Sequence, residues 1–203
     1  MVSEAQDVLW SHMRPASDQV DRKPETRINK GYHVIRCGSG TEIKRLIYAD
    51  PVCEMSAELV GKGLLHTNGG PGPNVNFPRD EREWNPPEHG HLDGYHALSN
   101  GVSKGTVSRF TLGVTVYLSQ IEAQGDESTI WPGSHKVWGE LFRYHDVDCL
   151  PGGIAPVDLG QSYEFTGKPG DVCLWHSLLT HTAGHNISRN VQLPVLLVHV
   201  ERI

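Results

Sequence analysis

The sequence predicts a mainly β protein, a sandwich or barrel of short strands with few helices. Residues 109–118 alternate between apolar and polar side chains with period two, as a half-buried strand does. Shorter β segments are expected at residues 128–131, 162–165, 172–175 and 191–200. The 22 glycines and 13 prolines supply the turns that such an architecture needs between its strands.

The length of 203 residues predicts a single domain over residues 1–203. Residues 1–30 are polar and are expected to form a short helix followed by a loose arm. Asp50 and Pro51 read as the cap and first turn of a helix that ends at Gly61, and a further helix is expected at residues 136–144. The Gly/Pro/Asn-rich segment 67–87 predicts a long loop, interrupted by a strand-like stretch at residues 74–77.

Charge and hydropathy exclude several classes of protein. The net charge of −6 is unsuited to neutralising phosphates, so we expect no nucleic-acid partner. The longest apolar stretch, residues 193–200, is too short to cross a bilayer, and residues 1–5 lack the features of a signal peptide. We therefore expect a cytoplasmic protein with no membrane association. The four cysteines are widely scattered, which predicts reduced thiols.

Ligand-type side chains are concentrated at residues 89–96. In extended backbone, residues two apart project to the same face, so His91 and Asp93 can grip one ion together. One carboxylate and two imidazoles form the facial triad of non-heme Fe(II) oxygenases, in which other coordination positions stay open. The second imidazole can come from His176, His181 or His185, which follow the turn and strand of residues 167–175.

The chain resembles the phytanoyl-CoA dioxygenase family of Fe(II)- and 2-oxoglutarate-dependent oxygenases over residues 74–200. The matching stretches, in the order and spacing of the family, are residues 91–94, 110–114, 131–135, Gly170-Asp171 leading to His176 and His181, and Asn186 with Ser188. The resemblance implies a double-stranded β-helix, or jelly-roll, with flanking helices and Fe(II) at one mouth of the barrel. It implies the ligands His91, Asp93 and His181, with 2-oxoglutarate and O₂ as cosubstrates and a small molecule as substrate. Because Asp93 occupies the place that halogenases vacate for chloride, the resemblance disfavours halogenation.

One position departs from the family pattern. Members carry an arginine eleven residues after the distal histidine, where it pairs with the far carboxylate of 2-oxoglutarate, and Gln192 stands there instead. Loss of a charge-assisted pair worth ~1.5–3 kcal/mol weakens binding about tenfold to a hundredfold. Arg109 is a candidate replacement, because it shares the predicted inner face with Thr115, which falls where some members have a tryptophan beside the cosubstrate.

Trp84, in the loop before the metal motif, is a candidate substrate lid. Two alternatives to an oxygenase stay open. A metal-binding jelly-roll without turnover is favoured by Gln192, and a cupin-type hydrolase or isomerase can use the same ligands around another divalent ion. The sequence identifies neither the substrate nor the oligomeric state, and a phytanoyl thioester is not implied.

Overall fold

We describe the protein from a computed structural model. The described residues are 1–13, 31–35, 41–62, 65–68, 72–80, 83–96, 103, 106–107, 110–124, 129–146, 157–188, 190–191 and 194–202. The helices are α1 (Val2–His12), α2 (Thr41–Ile47), α3 (Asp50–Val60) and α4 (Ser134–Tyr144). The strands are β1 (Gly31–Val34), β2 (Leu65–Asn68), β3 (Gly72–Phe77), β4 (Leu112–Tyr117), β5 (Thr129–Ile130), β6 (Tyr163–Glu164), β7 (Val172–His176), β8 (His181–Thr182) and β9 (Pro194–Arg202).

The strands form two antiparallel sheets. The larger sheet has the order β1-β3-β9-β4-β7, and β2 pairs with β9 beyond the end of β3. The smaller sheet has the order β6-β5-β8, and an isolated bridge adds His91 next to His181 at the start of β8. The register between β4 and β9 shifts at Val114/Thr115, which marks a bulge in the larger sheet. The sheet-rich architecture predicted from the sequence is confirmed.

Helices α1, α2 and α3 cover one face of the larger sheet. Leu112, Val114 and Val116 of β4 join one buried cluster with Ala5 and Leu9 of α1. Because these three residues are two apart along the strand, their side chains project to the same face, which is the face that the helices cover. Gly113 and Thr115 consequently lie on the other face of β4, against Trp175, which contacts His181 of the smaller sheet.

Several elements differ from the sequence expectations. Strand β4 is buried at every residue, because helices cover one face and the Trp175 indole, which also contacts His181 of the smaller sheet, covers the other. Helix α1 packs into the core, and residues 14–30 of the expected arm lie outside the described residues. In α3 the cap position is Ala49 and not Asp50. In the part of the chain that is described, no helix has both the length and the apolar character needed to span a membrane.

Candidate metal centre

His91, Asp93 and His181 come together at one end of the space between the sheets. The backbones of His91 and His181 exchange two hydrogen bonds, of 2.9 Å from His91 N to His181 O and 3.2 Å from His181 N to His91 O. This reciprocal pairing places the two imidazoles side by side, with ring centroids 4.7 Å apart. Asp93 follows two residues after His91, so its carboxylate reaches the same point as the two rings.

The carboxylate of Asp93 lies between the two imidazoles. Its Oδ1 is 3.3 Å from His91 Nε2, and its Oδ2 is 3.6 Å from His181 Nε2. One ligand atom from each of the three residues lies within 4.8 Å of the others, close to the ~3–4 Å that separates ligands bound to one ion. The side chains of His91, Asp93 and His181 are 25%, 18% and 22% exposed, so the cluster is open on one side.

The protonation states of the cluster suit a cation. Burial by itself raises the pKa of Asp93, but hydrogen bonds and positive charge from His181 and His91 outweigh it and hold that pKa far below its usual range. Burial lowers the pKa of His181, whereas the hydrogen bond and negative charge of Asp93 raise it, and the net direction is upward. The pocket therefore holds an ionised carboxylate that attracts positive charge, and a metal ion can take the place of the proton that His181 shares with it.

The tautomer of His181 is fixed by its neighbour Leu179. His181 Nδ1 lies 3.0 Å from Leu179 O, and since a carbonyl oxygen only accepts, Nδ1 carries the hydrogen and donates it. The Nε2 atom is then the one directed at Asp93 and available to a metal. Metal-binding histidines commonly use one ring nitrogen for the ion and the other for a backbone or carboxylate acceptor.

Thr180, directly before His181, is held on three sides. Its backbone N–H donates to Ser134 Oγ at 2.8 Å, and its carbonyl accepts from Trp131 N at 3.0 Å. Its hydroxyl accepts from Trp138 Nε1 at 2.6 Å, in a buried hydrogen bond. The start of α4 thus fixes the backbone from which the distal histidine projects. Trp138 itself is buried in the core.

Trp175 forms a wall beside His181. The two rings have centroids 4.5 Å apart, and the indole lies so close over Gly113 that a side chain there would collide with it. Trp175 Nε1 donates to Thr115 Oγ1 at 3.3 Å, and Phe110 packs edge-on against the indole at 5.6 Å. Thr115, predicted to lie beside the cosubstrate, does project between the sheets and is engaged by this tryptophan.

The other predicted site residues have different positions. His176, one candidate third ligand, is exposed at the end of β7, and its Nδ1 accepts from Leu178 N at 3.0 Å. Trp84 is half-buried, and its Nε1 has no hydrogen-bond partner among the described side chains and backbone. Arg109 and Gln192 lie outside the described residues, so their assignment to the cosubstrate stays a prediction.

The burial of two polar residues was not predicted from the sequence. The strand-like stretch expected at residues 74–77 is confirmed as β3, and its Asn74 and Asn76 are buried. The signal that points to them is the spacing Asn74-Val75-Asn76, in which a single apolar residue alternates with amides. Such a pattern normally indicates a solvent-exposed polar face, and here the segment that follows β8 packs on that face, where Asn76 donates to Gly184 O.

The fold is shared with several enzymes of known structure. The chain aligns over 98% of its length with the non-heme alpha ketoglutarate dependent carbocyclase SnoK from nogalamycin biosynthesis, at a TM-score of 0.61 and 16% identity, and covers 72% of that chain. EctD from S. alaskensis with 2-oxoglutarate and 5-hydroxyectoine gives a TM-score of 0.55 and 19% identity, over 98% of this chain and 67% of that one. HygX from Streptomyces hygroscopicus with nickel and 2-oxoglutarate bound gives a TM-score of 0.58 and 15% identity, over 98% of this chain and 78% of that one.

The epimerase SnoN, also non-heme and alpha ketoglutarate dependent, aligns over 84% of this chain at a TM-score of 0.54 and 17% identity. The chain spans only 60% of the length of that enzyme. No family model matches the sequence, and no curated protein matches it either. The comparisons therefore establish a fold found in Fe- and 2-oxoglutarate-dependent enzymes, and membership of the phytanoyl-CoA dioxygenase family stays a prediction.

Proposed function

We propose that the protein is an Fe(II)- and 2-oxoglutarate-dependent oxygenase that hydroxylates or otherwise oxidises a small organic substrate. The observation that carries the proposal is the convergence of His91, Asp93 and His181 on one point, with one side of the cluster open. Two imidazoles and one carboxylate with open positions are the ligand set of non-heme Fe(II) oxygenases. The shared fold adds support, because structural neighbours are described with Fe, nickel or 2-oxoglutarate bound.

We further infer that the two sheets form a double-stranded β-helix. From β3 onward the chain crosses repeatedly between them. Strand β3 lies in the larger sheet, His91 lies beside the smaller one, and β4 lies in the larger one again. Strands β5 and β6 then lie in the smaller sheet, β7 in the larger, β8 in the smaller and β9 in the larger. This alternation, with the mouth of the barrel at the His91–His181 bridge, supports the jelly-roll that the sequence resemblance implied.

The residues around the metal have distinct tasks. When bound, Fe(II) with 2-oxoglutarate and O₂ supplies the oxidising chemistry. His91, Asp93 and His181 would hold the ion, and the carboxylate charge offsets that of the cation. The Leu179 carbonyl keeps the hydrogen of His181 on Nδ1, so that Nε2 retains its lone pair for the metal. Trp175 covers one side of His181 and excludes water from that side of its ring.

The experiment that tests the proposal compares the three candidate histidines. Purified protein is incubated with Fe(II), 2-oxoglutarate and ascorbate in air, and succinate and bound 2-oxoglutarate are measured. We expect the wild-type protein, His176→Ala and His185→Ala to bind 2-oxoglutarate and form succinate, and His181→Ala to do neither. An iron-loaded wild-type protein that neither binds nor consumes 2-oxoglutarate would refute the oxygenase function.

A second candidate is a metal-binding module of the same fold that lacks turnover. The residue that favours it is Gln192, because a neutral amide replaces the cationic partner of the cosubstrate. The same incubation separates the two functions. Metal binding that depends on His181, without 2-oxoglutarate binding at any concentration tested, supports the module.

A further inference from the structure

Two buried asparagines on β3 carry polar atoms that the described structure does not satisfy. The side chain of Asn74 is 1% exposed, and neither its Nδ2 nor its Oδ1 has a hydrogen-bond partner among the described residues. Asn76 is fully buried, and its Oδ1 likewise lacks a partner within that set. Nearly all buried polar groups in native proteins are paired, so three unpaired atoms in one place call for an explanation.

Both asparagines project from the face of β3 that is opposite to the helices. Val75, which separates them, belongs to the buried cluster on the helix-covered face of the larger sheet. Because successive side chains of a strand point to opposite faces, Asn74 and Asn76 point the other way. They are closed off from bulk solvent, so a group that pairs with them must lie on this covered side of β3.

The strand β3 runs alongside the segment that follows His181. Asn76 Nδ2 donates to Gly184 O at 3.3 Å, and further on Arg79 N donates to Asn186 O at 2.7 Å. The two contacts advance together along both segments, so the segments run in the same direction. The segment that Asn76 contacts begins three residues after the histidine ligand, so β3 lies alongside the part of the chain that leaves the metal triad.

The unpaired atoms define the kind of group that fits. The Gly184 carbonyl accepts from Asn76 and so fixes its amide orientation, which leaves a carbonyl oxygen as the unpaired atom. Asn74 offers one carbonyl oxygen and one NH₂ whichever way its amide is turned. A carboxylate carries only acceptors and would meet two unpaired carbonyl oxygens. An amide or a hydroxyl group donates as well as accepts, and satisfies both sides.

We propose that Asn74 and Asn76 form a neutral subsite that recognises an amide or hydroxyl group of the organic substrate. The subsite then selects uncharged polar substrates and does not hold the distal carboxylate of 2-oxoglutarate. This inference rests on the proposed function, because it assigns the substrate class of the same site.

A third buried asparagine shows what a structural role looks like in this protein. Asn186 Nδ2 donates to Asn76 O at 2.9 Å and to Asn190 O at 2.8 Å. Its Oδ1 accepts from Ser188 N at 3.0 Å and from Ser188 Oγ at 2.7 Å. Every polar atom of that side chain is engaged, so Asn186 serves as the matched control for Asn74.

The first measurement is thermal unfolding of the metal-free protein. Leucine has nearly the shape of asparagine and no polar atoms, so Asn74→Leu removes an amide that has no partner to lose. We expect a rise in the unfolding midpoint of ~2–8 °C, and a fall of similar or larger size for Asn186→Leu. A large fall for Asn74→Leu would assign Asn74 a structural role and overturn the inference.

The second measurement follows the side-chain NH₂ signal of Asn74 by ¹H–¹⁵N NMR, identified by its loss in Asn74→Leu. Protein loaded with Zn(II) and 2-oxoglutarate is titrated with acetamide, and in parallel with acetate, which has the same shape and no donor. We expect acetamide to shift the Asn74 and Asn76 signals saturably and acetate to leave them unchanged. Asn74→Leu weakens acetamide binding about tenfold, read from the Asn76 signal.

The remaining outcomes are distinguishable. A shift of the Asn74 signal on adding 2-oxoglutarate, reproduced by acetate, would assign the amides to the cosubstrate and overturn the inference. No response to acetamide, with Zn(II) and 2-oxoglutarate bound, would mean that a buried water alone pairs with the amides, and would also overturn it. Failure of Zn(II) and 2-oxoglutarate to bind, seen at the triad histidine signals, refutes the proposed function instead.

Discussion

His91 and His181 are paired through their backbones, each donating its N–H to the carbonyl of the other, at 2.9 and 3.2 Å. The pairing fixes the separation of the two imidazoles before any ion binds. Since the carboxylate of Asp93 already lies between the rings, a cation enters a site that needs only small side-chain movements. Preorganisation of this kind makes metal binding sensitive to any change that moves either backbone segment.

Asp93→Asn keeps the shape of the ligand and removes its charge. We expect divalent metal affinity to fall by more than ~100-fold, beyond the effect of residues that only orient ligands. Anaerobic calorimetric titration with Fe(II) or Mn(II) measures the change. His89→Ala is the matched control, because His89 is highly exposed in the same motif. Equal affinities for the wild-type protein and Asp93→Asn would exclude Asp93 as a ligand.

Metal should stabilise the folded protein through the triad. A ligand present at 100 times its dissociation constant adds ~2.7 kcal/mol to the free energy of unfolding. We therefore expect Mn(II) or Ni(II) to raise the unfolding midpoint of the wild-type protein by several degrees, and chelation to reverse it. His91→Ala should show no such rise, and a rise equal to that of the wild-type protein would place the metal elsewhere.

Gly90→Ala tests the close packing beside the first ligand. A Cβ at Gly90 would lie 2.6 Å from Trp131 Cζ3 and 2.8 Å from His181 O, and a backbone oxygen cannot move without the strand that carries it. We expect a loss of ~1–3 kcal/mol in the free energy of unfolding and weaker metal binding. Gly139 of α4 is the control, because an added Cβ there meets no described atom within 4 Å apart from the helix's own backbone. Gly139→Ala should raise the free energy of unfolding by ~0.5–1 kcal/mol. Chemical denaturation measures both changes.

Ser134→Ala removes the acceptor of the Thr180 backbone N–H, and both residues are fully buried. An unpaired buried donor costs ~1–3 kcal/mol, and the segment leading to His181 loses one of its three attachments. We expect reduced stability together with reduced metal affinity. Ser11→Ala, at an exposed serine of α1, should change the free energy of unfolding by no more than ~0.5 kcal/mol. Loss of stability without any change in metal affinity would contradict the positioning role.

Cys173 should resist alkylation at alkaline pH. Burial raises the pKa of its thiol to about 11. At pH 9 about one thiol in a hundred is then ionised, against about half in the unfolded chain, and the thiolate is the reactive form. The folded state favours the protonated thiol. The contribution of this thiol to the free energy of unfolding is therefore complete below pH ~9 and is lost as the pH rises towards 11. Iodoacetamide labelling followed by peptide mass spectrometry checks this, with denatured protein as control.

The sequence by itself determined much of the candidate site. His91 and Asp93 share a face because they are two residues apart in extended backbone, and that relation is local. The alternation around β4 and the turn residues before β7 likewise predicted strands where strands lie. Short-range geometry decides these features, so they can be predicted without knowledge of the rest of the chain.

The tertiary structure decided what depends on distant parts of the chain. Residues alone left three histidines as candidate third ligands, and pairing with His91 singles out His181. The hydrogen bond from Thr180 N to Ser134 Oγ joins two residues that are 46 positions apart. Asn74 and Asn76 had the spacing of an exposed polar face and are buried, and the segment that follows β8 contacts Asn76. The pairing of strands and the packing of two sheets set these relations, and both bring together side chains whose separation along the chain carries no signal.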